Sequence, residues 1–358
     1  MTIIRRPYLA CALTVFLFGV FVSAEPILLN PIGSFDIKKS LPENSQQGVV
    51  MVQDFLANDT GLYFLIAHNL DSSDRFISAS SRISILHTDA AGKVQKLTTL
   101  PTSDADDPKK RIVHGFAVDD VGNCFVLESL VVEGNRKMEF IVYDPTGALT
   151  KKIPVADQDS KVIPVLTFCA RSRDLFYLTG NHFLQYVPVG ALNPASTPGV
   201  KYDGLDILKY SLNMSVLPGD SLALLDGALC KLYIMNTSSS VFQAISLDKI
   251  PEVKQGLDSY EPETKGTDTT NTNVGRAIVL PRLVTCKQGG IYLAVTGHDI
   301  RNGAVIIRID SSGKLLQSLR CNLSGLGETG YLQYAHIAIN DAGLMLCSHD
   351  GVIAIYPR

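Results

Sequence analysis

His114-Gly115-Phe116-Ala117-Val118-Asp119-Asp120-Val121-Gly122-Asn123-Cys124-Phe125-Val126-Leu127 reads as an apolar run, a four-residue turn and a second apolar run. Asp at the first turn position accepts from nearby backbone N–H groups, and Gly at the fourth tolerates positive φ, as a type I turn between strands requires. The same phrase returns at Asn58-Asp59-Thr60-Gly61 and Asn340-Asp341-Ala342-Gly343, each between short apolar runs. A second set, Asp89-Ala90-Ala91-Gly92, Asp144-Pro145-Thr146-Gly147 and Asp310-Ser311-Ser312-Gly313, follows a strand or two later.

Short apolar runs alternate with turn signals almost throughout the 358 residues, and no long stretch carries a 3.6-residue period. The chain is therefore expected to be all-β. Marker turns at Gly61, Gly122, Arg173-Asp174, Pro218-Gly219, Gln288-Gly289-Gly290 and Gly343 divide it into six units, at intervals of 61, 52, 45, 70 and 54 residues. Each interval has room for about four strands of ~5–6 residues with their loops. In unit two these are expected at 115–118, 124–130, 139–143 and 148–155; in unit five at 282–285, 291–296, 304–309 and 315–321. Four-stranded repeats at this period predict a six-bladed β-propeller of antiparallel blades. The last unit offers only three strands, at 335–339, 344–347 and 352–356, so its outer strand is expected from the N-terminal segment 27–37. Closure by the two ends of the chain removes exposed strand edges.

Residues 1–24 carry Arg5 and Arg6, an apolar run from Leu9 to Val22, and Val22-Ser23-Ala24 before Glu25. That is the order of a secretory signal, cleaved after Ala24 to leave 25–358 as a single propeller domain. The run is shorter than the ~20 residues of a spanning helix, which disfavours the alternative of an uncleaved anchor. The mature chain is then expected to be secreted or periplasmic, with no membrane span. The full sequence, with a net charge of −3, offers no basic field for nucleic acid. Six of the seven cysteines follow residue 24. An even count outside the cytoplasm suits disulfides, whereas placement inside apolar strands suits small buried hydrophobes, and both readings stand. Two polar segments, 104–111 and 252–273, interrupt the rhythm, and the second is expected to be a long loop between units four and five.

The phrases at 114–123 and 336–343, with Arg308-Ile309-Asp310-Ser311-Ser312-Gly313-Lys314-Leu315 between third and fourth strands, resemble the NHL-type propeller repeat. The resemblance extends over nearly all of 25–358 in rhythm, and in wording over units two, five and six. It implies a fold whose members include ligand-binding modules, gluconolactonase-like hydrolases and amidating lyases. The chain has no Trp, which excludes Trp-Asp repeats, tryptophan-bearing quinone-cofactor blades and the sialidase Asp-box. The gluconolactonase-type Glu-x-Pro-x-Trp phrase is also missing, so no residue of that mechanism is carried over.

First strands line a propeller's channel, so residues near their beginnings converge. Counting back seven or eight positions from the marker glycines selects Asp54, His114, Arg282 and His336, with Asn213 near the corresponding place in unit four. Two imidazoles, a carboxylate and a guanidinium around one opening suit an anionic ligand, or a divalent metal held by His114 and His336. Either His could serve as a general base near neutral pH. The plain alternative is a set of polar side chains bonded to neighbouring backbone in a wet channel. Asp226 and His349-Asp350 fit turn positions, and Asp104, Asp106 and Asp107 lack the Gly and Glu of a calcium loop. No Gly-x-Ser-x-Gly elbow or phosphate-binding loop occurs. The expected role is a binding module for a protein, glycan or small-molecule ligand, and the alternative is a metal-dependent hydrolase or lyase.

Overall fold

The strands that are apolar on both faces decide the architecture. Ile291–Val295 and Gly343–Cys347 are buried at every residue, as the middle of a sheet covered on two sides must be. The computed structural model describes residues 26–43, 49–70, 82–101, 110–132, 135–155, 165–188, 197–208, 211–260, 278–298, 303–323, 326, 336–348 and 350–358. The expected signal at 1–24, the acidic trio at 104–107 and His349 lie outside them.

The first described strands are β1 (Ile27–Leu29) and β2 (Gly33–Asp36), followed by the short helix α1 (Ile37–Ser40). Blade one is β3 (Val49–Asn58), β4 (Gly61–Leu70), β5 (Arg82–Thr88) and β6 (Val94–Thr99). Blade two is β7 (Lys110–Val118), β8 (Cys124–Val132), β9 (Asn135–Tyr143) and β10 (Leu149–Pro154). Blade three comprises β11 (Thr167–Arg171), β12 (Asp174–Leu178), β13 (Phe183–Pro188) and β14 (Thr197–Lys201). Blade four comprises β15 (Leu212–Leu217), β16 (Ser221–Asp226), β17 (Lys231–Asn236) and β18 (Phe242–Ser246), and leads into helix α2 (Pro251–Tyr260). Blade five is β19 (Arg282–Thr285), β20 (Ile291–Val295), β21 (Ala304–Ile309) and β22 (Leu315–Cys321). Blade six is β23 (His336–Asn340), β24 (Gly343–Cys347) and β25 (Val352–Tyr356), completed by β2. The first strands touch in the cyclic order β3, β7, β11, β15, β19, β23 and back to β3, which is the six-bladed propeller expected from the repeats.

The core is partitioned among the seams between blades. Tyr63 and Leu65 meet Phe116 and Val126 between blades one and two, and Phe125 and Phe140 meet Leu175 and Tyr177 in the next seam. Similar clusters fill the remaining four, and the closing seam joins Phe64 and Ile66 of blade one to Met345 and Ile353 of blade six. Successive residues of β4 thus serve opposite seams, because side chains alternate across a strand. Each buried Leu, Ile or Phe contributes about 1.5–3 kcal/mol, so the seams dominate cohesion.

β2 pairs antiparallel with β25, supplying the outer strand of blade six as the sequence indicated. β1 adds something unforeseen, pairing parallel with β22 to give blade five a fifth strand. One segment therefore fastens two neighbouring blades. The second correction concerns 252–273: its first nine residues belong to α2, and 261–273 lie outside the described residues. Pro251 at the first helical position has a preset φ, while Val253 and Leu257 pack into the seam between blades four and five. Among polar neighbours that short apolar face is a weak signal. Gly256 lets the helix approach closely, since a Cβ there would lie 2.5 Å from the Thr296 carbonyl oxygen.

The marker turns are built as their chemistry requires. Gly122, Gly92, Gly147 and Gly313 N–H groups donate to the carbonyls of Asp119, Asp89, Asp144 and Asp310 at 3.2, 3.0, 2.8 and 3.0 Å. Gly61, at φ 148°, would place a Cβ 2.2 Å from the Thr88 carbonyl oxygen, so the fourth position excludes any larger residue. Blade three lacks such a glycine, and Ser172 and Arg173 take left-handed φ of 49° and 70° instead. Carboxylates of the preceding blade support them: Ser172 N donates to Asp120 Oδ1 at 2.6 Å and Arg173 N to Asp119 Oδ2 at 3.0 Å. A borrowed acceptor explains why this turn reads as degraded. Replacing the exposed Arg173 with Gly keeps the N–H and relieves about 1 kcal/mol of left-handed strain. Arg173→Gly should therefore raise the chemical-denaturation midpoint at unchanged m-value; a fall would show that the arginine side chain outweighs the strain.

Candidate functional site

Each blade leaves the channel through its marker turn, so the beginnings of the inner strands define one end of the channel and the turns the other. Three of the five sequence candidates meet at the starting end. Asp54 on β3, Arg282 at the head of β19 and His336 at the head of β23 come from blades one, five and six. Arg282 Nη2 donates to His336 Nδ1 at 2.8 Å, and Arg282 Nη1 stands 3.3 Å from Asp54 Oδ1. His336 Nδ1 lies 3.6 Å from the same carboxylate oxygen, too long for a hydrogen bond. Asp54 Oδ1 also accepts from Phe55 N at 2.9 Å. Burial pushes the Asp54 carboxyl up, but Arg282 and His336 outweigh it and hold it below its ordinary value. The side chains are 23, 31 and 5% exposed for Asp54, Arg282 and His336, so the carboxylate and guanidinium keep partial contact with water while the imidazole is buried.

The other two candidates take local partners. Asn213 Nδ2 donates to the Pro281 carbonyl at 3.1 Å, linking blades four and five. His114 Nε2 sits 2.9 Å from Ser129 Oγ and 2.8 Å from Arg136 Nη2, all within blade two. Burial, reinforced by Arg136, pushes the imidazole down to about 4, away from the near-neutral value expected of a general base. In both histidines a guanidinium contacts one of the two ring nitrogens. Among the described residues, no group of three or more His, Cys, Asp and Glu side chains is placed to hold a metal ion. Asp226, the last residue of β16, caps the turn that follows, accepting from Leu208, Ala228 and Leu229 N–H groups and from Ser211 Oγ.

A concave feature lined by described residues lies at the opposite end of the channel. All six inner strands, with turn residues from every blade but the third, line an open cavity of about 370 Å³, whose lining includes Phe116, Phe168, Met214 and Leu283. Its charged residues are engaged around the rim. Lys287 pairs with Asp59, and Arg358 reaches Gln288 and, at 3.5 Å, Asp341. Arg171 donates to the Leu217 and Gly219 carbonyls at 3.2 and 2.6 Å. Asn58 donates to the Asp119 carbonyl at 2.6 Å, and Asn340 to the Asn58 carbonyl at 3.4 Å. Counting backward from the marker glycine pointed away from this cavity; counting forward from each inner strand into its turn would have found it.

No protein-family model matches the chain, and no curated protein matches it in sequence. Similar solved structures include a streptogramin B lyase at 14% identity, covering 91% of this chain and 87% of that one with a TM-score of 0.43. YCF48 bound to D1 peptide matches at 10% identity over 93% and 97% of the two chains, with a TM-score of 0.42. BamB from Moraxella catarrhalis matches at 11% identity over 92% and 98%, with a TM-score of 0.37. Likenesses of this size carry no inference about sites or activity.

The Asp54 cluster has a pH signature. A carboxylate held below its ordinary value contributes stability that is present above the unfolded value of 3.8 and lost as pH falls through the folded value. Asp54→Asn should therefore be less stable than the parent at pH 6, and the gap should narrow below pH 4. A gap independent of pH would show that the carboxylate's charge does not contribute.

Proposed function

We propose that the protein is an exported, NHL-like propeller, with residues 1–24 as signal and 25–358 as mature domain, that binds a ligand without transforming it. The observation that carries this reading is the cavity at the marker-turn end, to which every blade contributes. Its volume falls within the ~300–1,000 Å³ of small-molecule sites, and its lining combines apolar side chains with polar turn groups. Because the rim charges already have partners, the cavity suits a small ligand with an apolar body and neutral polar groups. The same chemistry fits a side chain offered by a protein partner or one edge of a glycan. Rigid blades would fix the turns that read the ligand, and variation at those turns would set specificity. No helix among the described residues is long and apolar enough to cross a membrane.

A fragment screen by ligand-observed NMR on residues 25–358 tests this reading. Ala170 lines the cavity, and Ala170→Trp should abolish the hits while leaving thermal unfolding within a few degrees. Hits that persist in that variant would place binding elsewhere. Stoichiometric metal in dialysed protein, lost together with turnover in the His114→Ala, His336→Ala double variant, would replace this reading with the metal-dependent hydrolase or lyase.

A further inference from the structure

The cavity wall differs from one side of the ring to the other. Phe116, Phe168 and Met214 line it from blades two, three and four, whereas Leu56, Leu283 and Ala338 line it from blades one, five and six. Phe140 meets the Phe168 ring edge-on, at 70° and with centroids 5.1 Å apart, and so holds that ring in place. Two rings and a thioether give a planar aromatic guest stacking, edge and sulfur contacts that an aliphatic guest does not receive. Cys169 and Cys286, two of the six free and buried cysteines beyond residue 24, line it as small hydrophobes and not as disulfides. Between blades four and five the lining carries two hydroxyls whose direction is fixed. Thr285 Oγ1 donates to the Val216 carbonyl at 2.7 Å. A hydroxyl has one proton, so in the 2.8 Å contact between Ser215 Oγ and Thr285 Oγ1 the serine is the donor. Ser215 Oγ has then given its proton to the seam and keeps its lone pairs, and among the described residues no donor reaches them. Both residues line the cavity, so the wall presents an acceptor at this place. The amide of Asn58, also in the lining, is instead engaged in both directions, donating to the Asp119 carbonyl and accepting from Thr60 and Gly61 N–H groups.

We propose that the cavity takes a single neutral aromatic ring system carrying an N–H or O–H donor, indole-like or phenol-like, and that Ser215 sets this specificity by accepting from it. Thr285 of blade five keeps the Ser215 proton turned into the seam, so the preference belongs to the pair and not to the serine alone. A ring with an oxygen in place of its N–H brings lone pairs against lone pairs and leaves the Ser215 oxygen desolvated without a donor, which is how a site built for a hydrogen bond rejects the analogue lacking it. The inference deepens the binding reading above and rests on it, yet the two fail separately. Fragments that bind while neither indole nor phenol does would remove the specificity and leave the binding reading in place.

The test is to titrate residues 25–358 with indole and with benzofuran, rings of nearly one shape in which an N–H is exchanged for an oxygen, and to read the dissociation constants by ligand-observed NMR. Indole should bind about tenfold more tightly. Ser215→Ala should bring the two within about twofold, and Thr285→Val, which frees the Ser215 proton to turn toward the cavity, should narrow the gap at least about threefold. N-acetyltryptophanamide separates the two sources of such a ring: binding comparable to indole admits a side chain carried by a polypeptide, and much weaker binding confines the site to free molecules. Benzofuran binding as tightly as indole in the wild-type protein, as apolar contact alone would give, or a preference that survives either substitution, would overturn the proposal. The wild-type comparison needs no variant, so it holds even if a substitution disturbs folding.

Discussion

The structure depends on apolar seams that close into a ring. A blade alone cannot bury its faces, because residues such as Leu62, Tyr63, Phe64 and Leu65 alternate between two seams and need a neighbour on each side. The closing seam is therefore as necessary as any other, though it joins the most distant parts of the chain. β2 completes blade six, β1 clamps the outer edge of blade five, and Ile37 and Leu41 fill the seam between blades six and one. The ion-pair and hydrogen-bond cluster of Asp54, Arg282 and His336 joins blades one, five and six across this same seam.

That location changes the meaning of the cluster. In a channel site, a carboxylate, a guanidinium and an imidazole would turn their polar atoms toward a ligand. Here those atoms largely satisfy one another, and His336 is almost wholly buried. Breaking such a network leaves a partly buried charge without its partner, so the cluster contributes to holding the three blades together. The marker-turn end has the complementary character. Its charges hold the rim in shape while the lining below them is apolar, so the same turns that brace the seams also frame the cavity.

Much of the fold was legible because the marker turns combine two independent requirements, an Asx side chain for the turn N–H groups and a glycine where φ is positive. Those requirements appear directly in the letters at Gly61, Gly122 and Gly343. Blade three was harder to read because Ser172 and Arg173 obtain their acceptors from Asp119 and Asp120, more than fifty positions earlier. The helix at Pro251–Tyr260 was hidden for a similar reason, since its apolar face is short and its close packing depends on the absence of a side chain at Gly256. The candidate site was legible only in part. Sequence spacing brought Asp54, Arg282 and His336 together, but partner choice placed His114 with Ser129 and Arg136, which no spacing rule reveals. The cavity escaped because its walls are the turns themselves, read as scaffold.

Native-state hydrogen exchange tests the central claim, that the six seams form one cooperative ring closed by the N-terminal strand. The central amides of β24 and β25 should exchange with the same opening free energy as those of β12 and β16 on the far side of the ring, and all should shift together with denaturant. A blade six that opens at distinctly lower free energy, while blades three and four stay protected, would contradict closure as the constraint on which the rest depends.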